Sequence, residues 1–200
     1  MIDNQLQPDK IAAYVSGLYG KFQTPQLVYH NLAHTENVIQ KTNEISLNYS
    51  LNETDLFILS SAAWFHDCGH LFGPAKNHEV KSALIMRVYM KSIGLEEKMI
   101  QMVWQCILST KIPNEPKSLL AEILCDADLY HLGTDEFLIT DGLVRKEFEL
   151  RNAFLPSSWE ENTLSFLEHH TYFTAYCRAL LEKGKLKNTA LMREMINRKS

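Results

Sequence analysis

The stretch Ala62–His70 reads AAWFHDCGH, with two histidines four residues apart and an aspartate, Asp67, directly after the first. His30 and His34 repeat the four-residue spacing upstream, in YHNLAH. Residues four apart on a helix lie on the same face. His30 and His34 share a helix face if the helix that contains His34 begins at or before His30. Packing one such helix on the other would bring imidazoles and a carboxylate around one point.

A divalent cation satisfies such a cluster best, because neither imidazoles nor a carboxylate are buried without a partner and both are good ligands for such ions. Five of the eight histidines lie between residues 30 and 78. A further acidic ligand is expected from the segment LCDADLYHLG, where Asp126 and Asp128 interrupt an apolar run. Periodicity does not choose between these two aspartates.

Apolar residues recur with helical spacing along most of the chain. Leu84, Ile85, Val88 and Tyr89 share one face, as do the apolar residues of Phe173–Leu181, and both faces are predicted to enter the core. No sustained alternation typical of a strand is present. The sequence therefore predicts an all-α chain, with helices near residues 8–19, 32–48, 53–67, 78–93, 95–109, 117–130, 134–152, 158–168, 171–183 and 188–197.

Cap residues mark several helix ends. Asn52 and Ser158 each precede acidic residues and are predicted N-caps. Gly94, Gly133 and Gly184 follow periodic segments, so each is predicted to end a helix.

Composition narrows the function classes. The chain of 200 residues has a net charge of −4 and an isoelectric point near 6.1, without a run of five like charges. This argues against nucleic acid or membrane as a partner and favours a small ligand. The first ten residues lack the pattern of a signal peptide, and the apolar run Leu56–Phe65 is too short to span a bilayer. We therefore expect a cytoplasmic protein whose four cysteines, which form no CxxC pair, are reduced thiols in or near the core.

The segments YHNLAHTENV, AAWFHDCGH, NHEVKSA and DADLYHLG resemble a bacterial branch of the HD-domain metal-dependent phosphohydrolases. YHNxxH and HDxxH are also similar to motifs of the cyclic-nucleotide phosphodiesterases of the same superfamily. The resemblance implies an all-α, single-domain HD-domain-like helical bundle over residues 1–200. It implies His34, His66, Asp67 and Asp128 as ligands of a divalent ion, whether Mn, Mg, Co, Ni, Fe or Zn.

The resemblance also implies hydrolysis of a P–O bond by activated water, with His30, His70 and Asp67 as catalytic residues. His30 would donate a proton to the leaving group, and His70 would hold the water. The expected substrate is a small phosphorylated molecule, with a nucleotide favoured.

Substrate phosphates need nearby cations. The sequence offers Lys76 in GPAKNH, Lys111 in STK, and Arg145, which resembles a basic position of the bacterial branch and could bind a phosphate bidentately.

Three alternatives remain at this stage. The chain could be a catalytically inactive HD module that binds metal or nucleotide, or its polar cluster could hold no metal. An HD-fold di-iron oxygenase would need more histidines than His70 and His78 between His66–Asp67 (the HD doublet) and the distant Asp128. His78 is interpreted as a helix-start residue that hydrogen-bonds a neighbour rather than as a weak ligand of a second metal ion. Oligomeric state has no signature in the sequence.

Overall fold

The structure, a computed structural model, describes residues 7–151, 156 and 158–198. Within those residues the chain forms nine α-helices, short 3₁₀ turns at Cys68–Phe72 and Tyr130–Gly133, and no strand, which confirms the all-helical prediction. The helices are α1 (Pro8–Phe22), α2 (Leu32–Ser46), α3 (Glu53–Phe65), α4 (His78–Ser92), α5 (Glu97–Ser109), α6 (Leu119–Asp128), α7 (Phe137–Leu150), α8 (Trp159–His169) and α9 (Ala175–Asn197). None of these helices combines the length and apolarity that crossing a bilayer requires.

Helix α3 lies at the centre of the bundle and packs against α1, α2, α5 and α6. It is apolar on nearly every face, and Ile58, Ala62 and Phe65 are fully buried. A capping box between Asn52 and Asp55 starts the helix, as predicted. Because α3 ends at Phe65, the HD doublet that follows it is delivered to the interior of the protein.

The two predicted C-terminal helices, 171–183 and 188–197, are wrong: both belong to the single helix Ala175–Asn197. Gly184 lies inside α9 and does not end it. A Cβ atom on Gly184 would lie 1.9 Å from the carbonyl oxygen of Gly133, so this glycine permits close packing of two backbones. Gly94, by contrast, has a φ of 79° just beyond α4 and ends it as predicted. The predicted helix 134–152 is Phe137–Leu150, and residue 152 lies outside the described residues.

Gly184→Ala should destabilise the protein by about 1–3 kcal/mol, because the backbone oxygen of Gly133 must move to admit the methyl group. Gly142→Ala is the matched control, since Gly142 is also inside a helix but has open space at its Cβ position. The control should stabilise the protein by about 0.5–1 kcal/mol. Urea denaturation measures both values. Equal effects of the two substitutions would contradict the packing role of Gly184.

The predicted core face of α4 is also wrong in part, since Leu84 and Val88 are 50% and 70% exposed. The face that enters the interior carries Ser82, Ala83 and Met86 instead. The Ser82 hydroxyl accepts a hydrogen bond from the backbone N–H of Gly69, which links this face of α4 to the turn Cys68–Phe72 after His66 and Asp67 (the HD turn). Leu180 of α9, predicted to be buried, is half exposed as well.

Candidate metal centre

Three distant parts of the chain bring the four predicted ligands together. His34 lies in the first turn of α2, where the N-cap Asn31 side chain accepts its backbone N–H. Its Nε2 lies 3.3 Å from Asp67 Oδ2 and 3.3 Å from Asp128 Oδ1. His66 Nε2 lies 3.3 Å and 3.6 Å from the same two oxygens. Two imidazole nitrogens and two carboxylate oxygens therefore converge on one point.

The converging atoms do not satisfy one another by hydrogen bonding. Nε2 of His34, Nε2 of His66 and Oδ2 of Asp67 are buried and have no hydrogen-bond partner among the described residues. Atoms that each lie about 2.1 Å from a common ion are about 3.0–3.4 Å apart in octahedral or tetrahedral geometry. Three of the four observed separations fall in that range, and the fourth, from His66 Nε2 to Asp128 Oδ1, is slightly longer at 3.6 Å. Orphaned lone pairs at these distances fit a divalent cation.

The end of α3 explains how two adjacent residues face one point. Neighbours within a helix diverge by about 100°, but His66 is the C-cap of α3 and Asp67 lies beyond it. The His66 Nδ1 lies 2.7 Å from the carbonyl oxygen of Ala63 and donates to it, because a carbonyl can only accept. This hydrogen bond leaves the Nε2 lone pair free for an ion, as is usual for metal-binding histidines.

The structure also distinguishes the two aspartates of the DADL segment. Asp126 is fully buried and accepts hydrogen bonds from the backbone N–H groups of Phe173 and Thr174 and from the Thr174 hydroxyl. It therefore anchors the segment that leads into α9. Asp128, the last residue of α6, faces the two histidines.

The histidines and aspartates of the cluster stabilise each other's charged forms. Burial opposes a charge on His34 and His66, but Asp67 and Asp128 outweigh it and raise the pKa of both rings. Burial likewise opposes ionisation of Asp67, yet His66 and His34 hold the pKa of its carboxyl well below its usual range. Protons and a divalent cation would compete for the same lone pairs, so ion binding should weaken as the pH falls.

A second group of ligand atoms adjoins the first and consists of Asp67, His70 and His78. His78 bonds a neighbour, as predicted, since its Nδ1 lies 3.0 Å from the Ala75 carbonyl oxygen. Its Nε2 also lies 3.3 Å from Asp67 Oδ1, a contact that sequence spacing did not reveal. The glycine of the HD turn makes this approach possible, because a Cβ on Gly69 would lie 2.1 Å from the His78 carbonyl oxygen.

Sequence reasoning missed Glu147, a fully buried residue of α7 that positions the YHN segment. Its Oε2 accepts the backbone N–H groups of Tyr29 and His30, each at 2.9 Å, and its Oε1 lies 2.7 Å from His30 Nδ1. The two segments are 117 residues apart in sequence. No local pattern distinguishes Glu147 from the exposed acids of the same helix.

Arg151, at the C-terminal end of α7, was also missed. Its guanidinium donates to Glu147 Oε1, to the Gly73 carbonyl oxygen and to His70 Nδ1. Burial, together with the charge of His30, lowers the pKa of His70 well below its usual value, so the His70 ring is neutral.

The predicted phosphate-binding cations lie outside the cluster. Arg145 is exposed and pairs with Glu149 and Glu160. Lys76 and Lys111 are also exposed, and the side chain of neither forms a hydrogen bond or ion pair within the described part of the chain.

Comparisons with known proteins found a family model and a solved structure that are similar to this chain. A family model described as the HD domain matches residues 31–133, about half of the chain. The crystal structure of a predicted HD superfamily hydrolase from an uncultured Thermotogales bacterium is similar, with a TM-score of 0.61 and 18% sequence identity. The match covers 96% of this chain and 92% of that chain. At this identity it shows a shared fold alone. No curated protein matches the chain.

Proposed function

The chain belongs to the HD domain family, and on that premise we propose that it is a metal-dependent phosphohydrolase that cleaves a P–O bond of a nucleotide or a related small phosphoester. One observation carries the proposal: buried nitrogen and oxygen atoms of His34, His66 and Asp67 converge without hydrogen-bond partners. Such an arrangement is costly to bury unless a cation satisfies it.

His34, His66, Asp67 and Asp128 would hold the ion. A divalent ion supplies a Lewis acid that neutralises charge on a phosphoryl oxygen and lowers the pKa of a water molecule. Asp67 has the central position, because its Oδ2 faces both His34 and His66 while its Oδ1 faces His78.

His30 is the proposed proton donor to the leaving oxygen. Its Nδ1–H donates to the Glu147 carboxylate, which orients the ring, so Nε2 is the atom that would transfer the proton. The His30 side chain is partly exposed, as are those of His78 and Asp128, and these residues line the side from which a substrate can enter.

Substrate phosphates would approach from that side. Lys76, Lys111 and Arg145 stay candidate phosphate-binding residues, since all three are exposed. To reach a substrate phosphate, Arg145 would have to leave Glu149 and Glu160. The proposed partner is a small phosphorylated molecule rather than nucleic acid or a membrane. All four cysteines are buried free thiols, which supports a reducing, cytoplasmic location.

The proposal is tested by stripping the purified protein of metal and restoring Mn, Mg, Co, Ni, Zn or ferrous iron in separate samples. Each sample is assayed on nucleoside mono-, di- and triphosphates, cyclic nucleotides and non-nucleotide phosphoesters. Free phosphate and pyrophosphate are measured directly, and cyclic-nucleotide products are separated by chromatography. We expect at least one substrate to be hydrolysed only when metal is present.

The other outcomes of this assay point to other functions. Tight metal binding without turnover on any substrate would favour a binding module. Oxygen consumption by the iron-loaded protein would favour an oxygenase. Turnover that a chelator does not affect would contradict a metal-dependent reaction.

A further inference from the structure

Two histidine rings beside the metal centre are stacked, with centroids 4.0 Å apart and planes inclined by 15°. Each ring contacts, through its Nδ1 atom, a different residue in α7 or directly after it. His30 Nδ1 lies 2.7 Å from Glu147 Oε1, and His70 Nδ1 lies 2.8 Å from Arg151 Nη1. Of these four residues, His70 alone lies within residues 31–133, the segment that the HD family model matches.

The chemistry of the two α7 residues determines which ring nitrogen carries a proton. An ionised carboxylate only accepts hydrogen bonds, so His30 Nδ1 must carry a proton. A guanidinium only donates, so His70 Nδ1 must accept with its lone pair. A neutral imidazole has one N–H group, and that of His70 must therefore be on Nε2.

The guanidinium is itself held in place. Arg151 Nη2 donates to the Gly73 carbonyl oxygen at 2.6 Å, and Nη1 also contacts Glu147 Oε1 at 3.0 Å. Its side chain is 11% exposed. These partners keep a donor directed at His70 Nδ1.

We propose that Arg151 is a positioning residue that fixes His70 as an Nε2–H donor, so that His70 offers a hydrogen bond to an oxygen atom in the site and does not act as a metal ligand. The proposal separates His70 from Asp67 and His78, with which it shares a group of ligand atoms. The proposal also limits the site to one tightly bound ion. Without His70, the second group of ligand atoms has lone pairs only from Asp67 and His78.

The surroundings of His70 Nε2 support this assignment. The atom is buried, has no hydrogen-bond partner among the described residues, and lies 3.9 Å from the nearest carboxylate oxygen, Asp67 Oδ1. An unpaired buried N–H group is costly, and an incoming oxygen atom would relieve that cost. His66 and His78 have the opposite arrangement, since each donates Nδ1–H to a backbone carbonyl and keeps the Nε2 lone pair.

The acceptor would be a phosphoryl oxygen or a water molecule, and this part of the inference rests on the proposed phosphohydrolase function. The position of the proton on His70 does not depend on that function. Absence of turnover would overturn the proposed function alone, whereas a proton on His70 Nδ1 would overturn this inference alone.

The test is nitrogen-15 NMR of the histidine rings during titration with Zn²⁺, which is diamagnetic and binds imidazole well. Comparison with His70→Gln identifies the His70 signals. In the wild-type protein we expect one tightly bound equivalent of zinc, and we expect His70 Nε2 to stay protonated and uncoordinated. In Arg151→Met, His70 is free to ligate, and the second equivalent should bind at least about tenfold more tightly.

Arg145→Met is the matched control, because it removes another guanidinium from the same helix. It should leave the His70 proton and the second zinc affinity as in the wild type. An Nδ1–H proton on His70, or zinc coordination by His70 in the wild type, would overturn the proposal. An unchanged second affinity in Arg151→Met would also overturn it. The wild-type spectra decide the position of the proton even if Arg151→Met does not fold.

Discussion

Asp67→Ala should abolish tight binding of a divalent ion and lower phosphate release by at least about 10³-fold, equivalent to about 4 kcal/mol of transition-state stabilisation. The carboxylate faces both ligand groups, with Oδ2 at 3.3 Å from Nε2 of His34 and of His66, and Oδ1 at 3.3 Å from Nε2 of His78. An alanine leaves these imidazoles without a shared anionic partner. The ion then loses the ligand that holds the centre together.

Metal content by elemental analysis and the rate on the best substrate of the panel measure these losses. Asp135→Ala is a suitable control, because Asp135 is an exposed aspartate paired with Lys187. The control should keep both metal and activity. A folded Asp67→Ala protein that retains its ion and half of its rate would refute the assigned centre.

Glu147→Gln should lower the turnover rate by about 10²-fold or more, because the carboxylate orients His30, the proposed proton donor. If the glutamine oxygen takes the backbone N–H groups of Tyr29 and His30, its NH₂ group faces two donors, His30 Nδ1–H and Arg151. Donor would then face donor. The control is Glu149→Gln, an exposed acid of the same helix that pairs with Arg145. Equal rates for Glu147→Gln and Glu149→Gln would contradict the role of Glu147.

The same substitution should change the dependence of stability on pH. Burial raises the pKa of the Glu147 carboxyl, but His30 and two backbone N–H groups outweigh it and lower the pKa from 4.5 to about 2. The unfolded chain takes up this proton first as the pH falls. Stabilisation by Glu147 is therefore complete above about pH 4.5 and is lost as the pH falls through about 2.

Glu147→Gln should consequently cost about 2–3 kcal/mol of unfolding free energy at pH 7. The difference from the wild type should shrink as the pH falls below about 4.5. Urea denaturation of both proteins between pH 3 and pH 7 measures it, and a difference that does not change with pH would count against this ion pair.

The sequence predicted the helices well wherever caps or periodicity act locally. Asn52 and Ser158 accept backbone N–H groups as N-caps, as expected from their positions. Gly184 misled the prediction because a glycine signals either a helix end or a close contact, and only the neighbouring backbone of Gly133 distinguishes the two. The exposure of Val88 was missed for a similar reason. Helix α4 has two apolar faces, and the elements that pack against it decide which face is buried.

The candidate ligands were also within reach of the sequence, because histidines and aspartates are costly to bury together unless a cation or another polar partner satisfies them. His34, His66 and Asp67 were predicted as ligands from spacing and resemblance, and the structure brings their side chains together. Asp128 could be separated from Asp126 only through the resemblance. In the structure, hydrogen bonds from Phe173 and Thr174 occupy Asp126.

The amino-acid sequence by itself thus determined an all-helical chain with a set of side chains whose chemistry suits a metal ion, since helical periodicity, caps and ligand chemistry depend on nearby residues or on residue type. Tertiary structure alone decided which groups surround that set. Glu147 and Arg151 reach His30 and His70 across 117 and 81 residues of sequence. Contacts of that kind are set by how α7 packs on the bundle, and no local pattern records them.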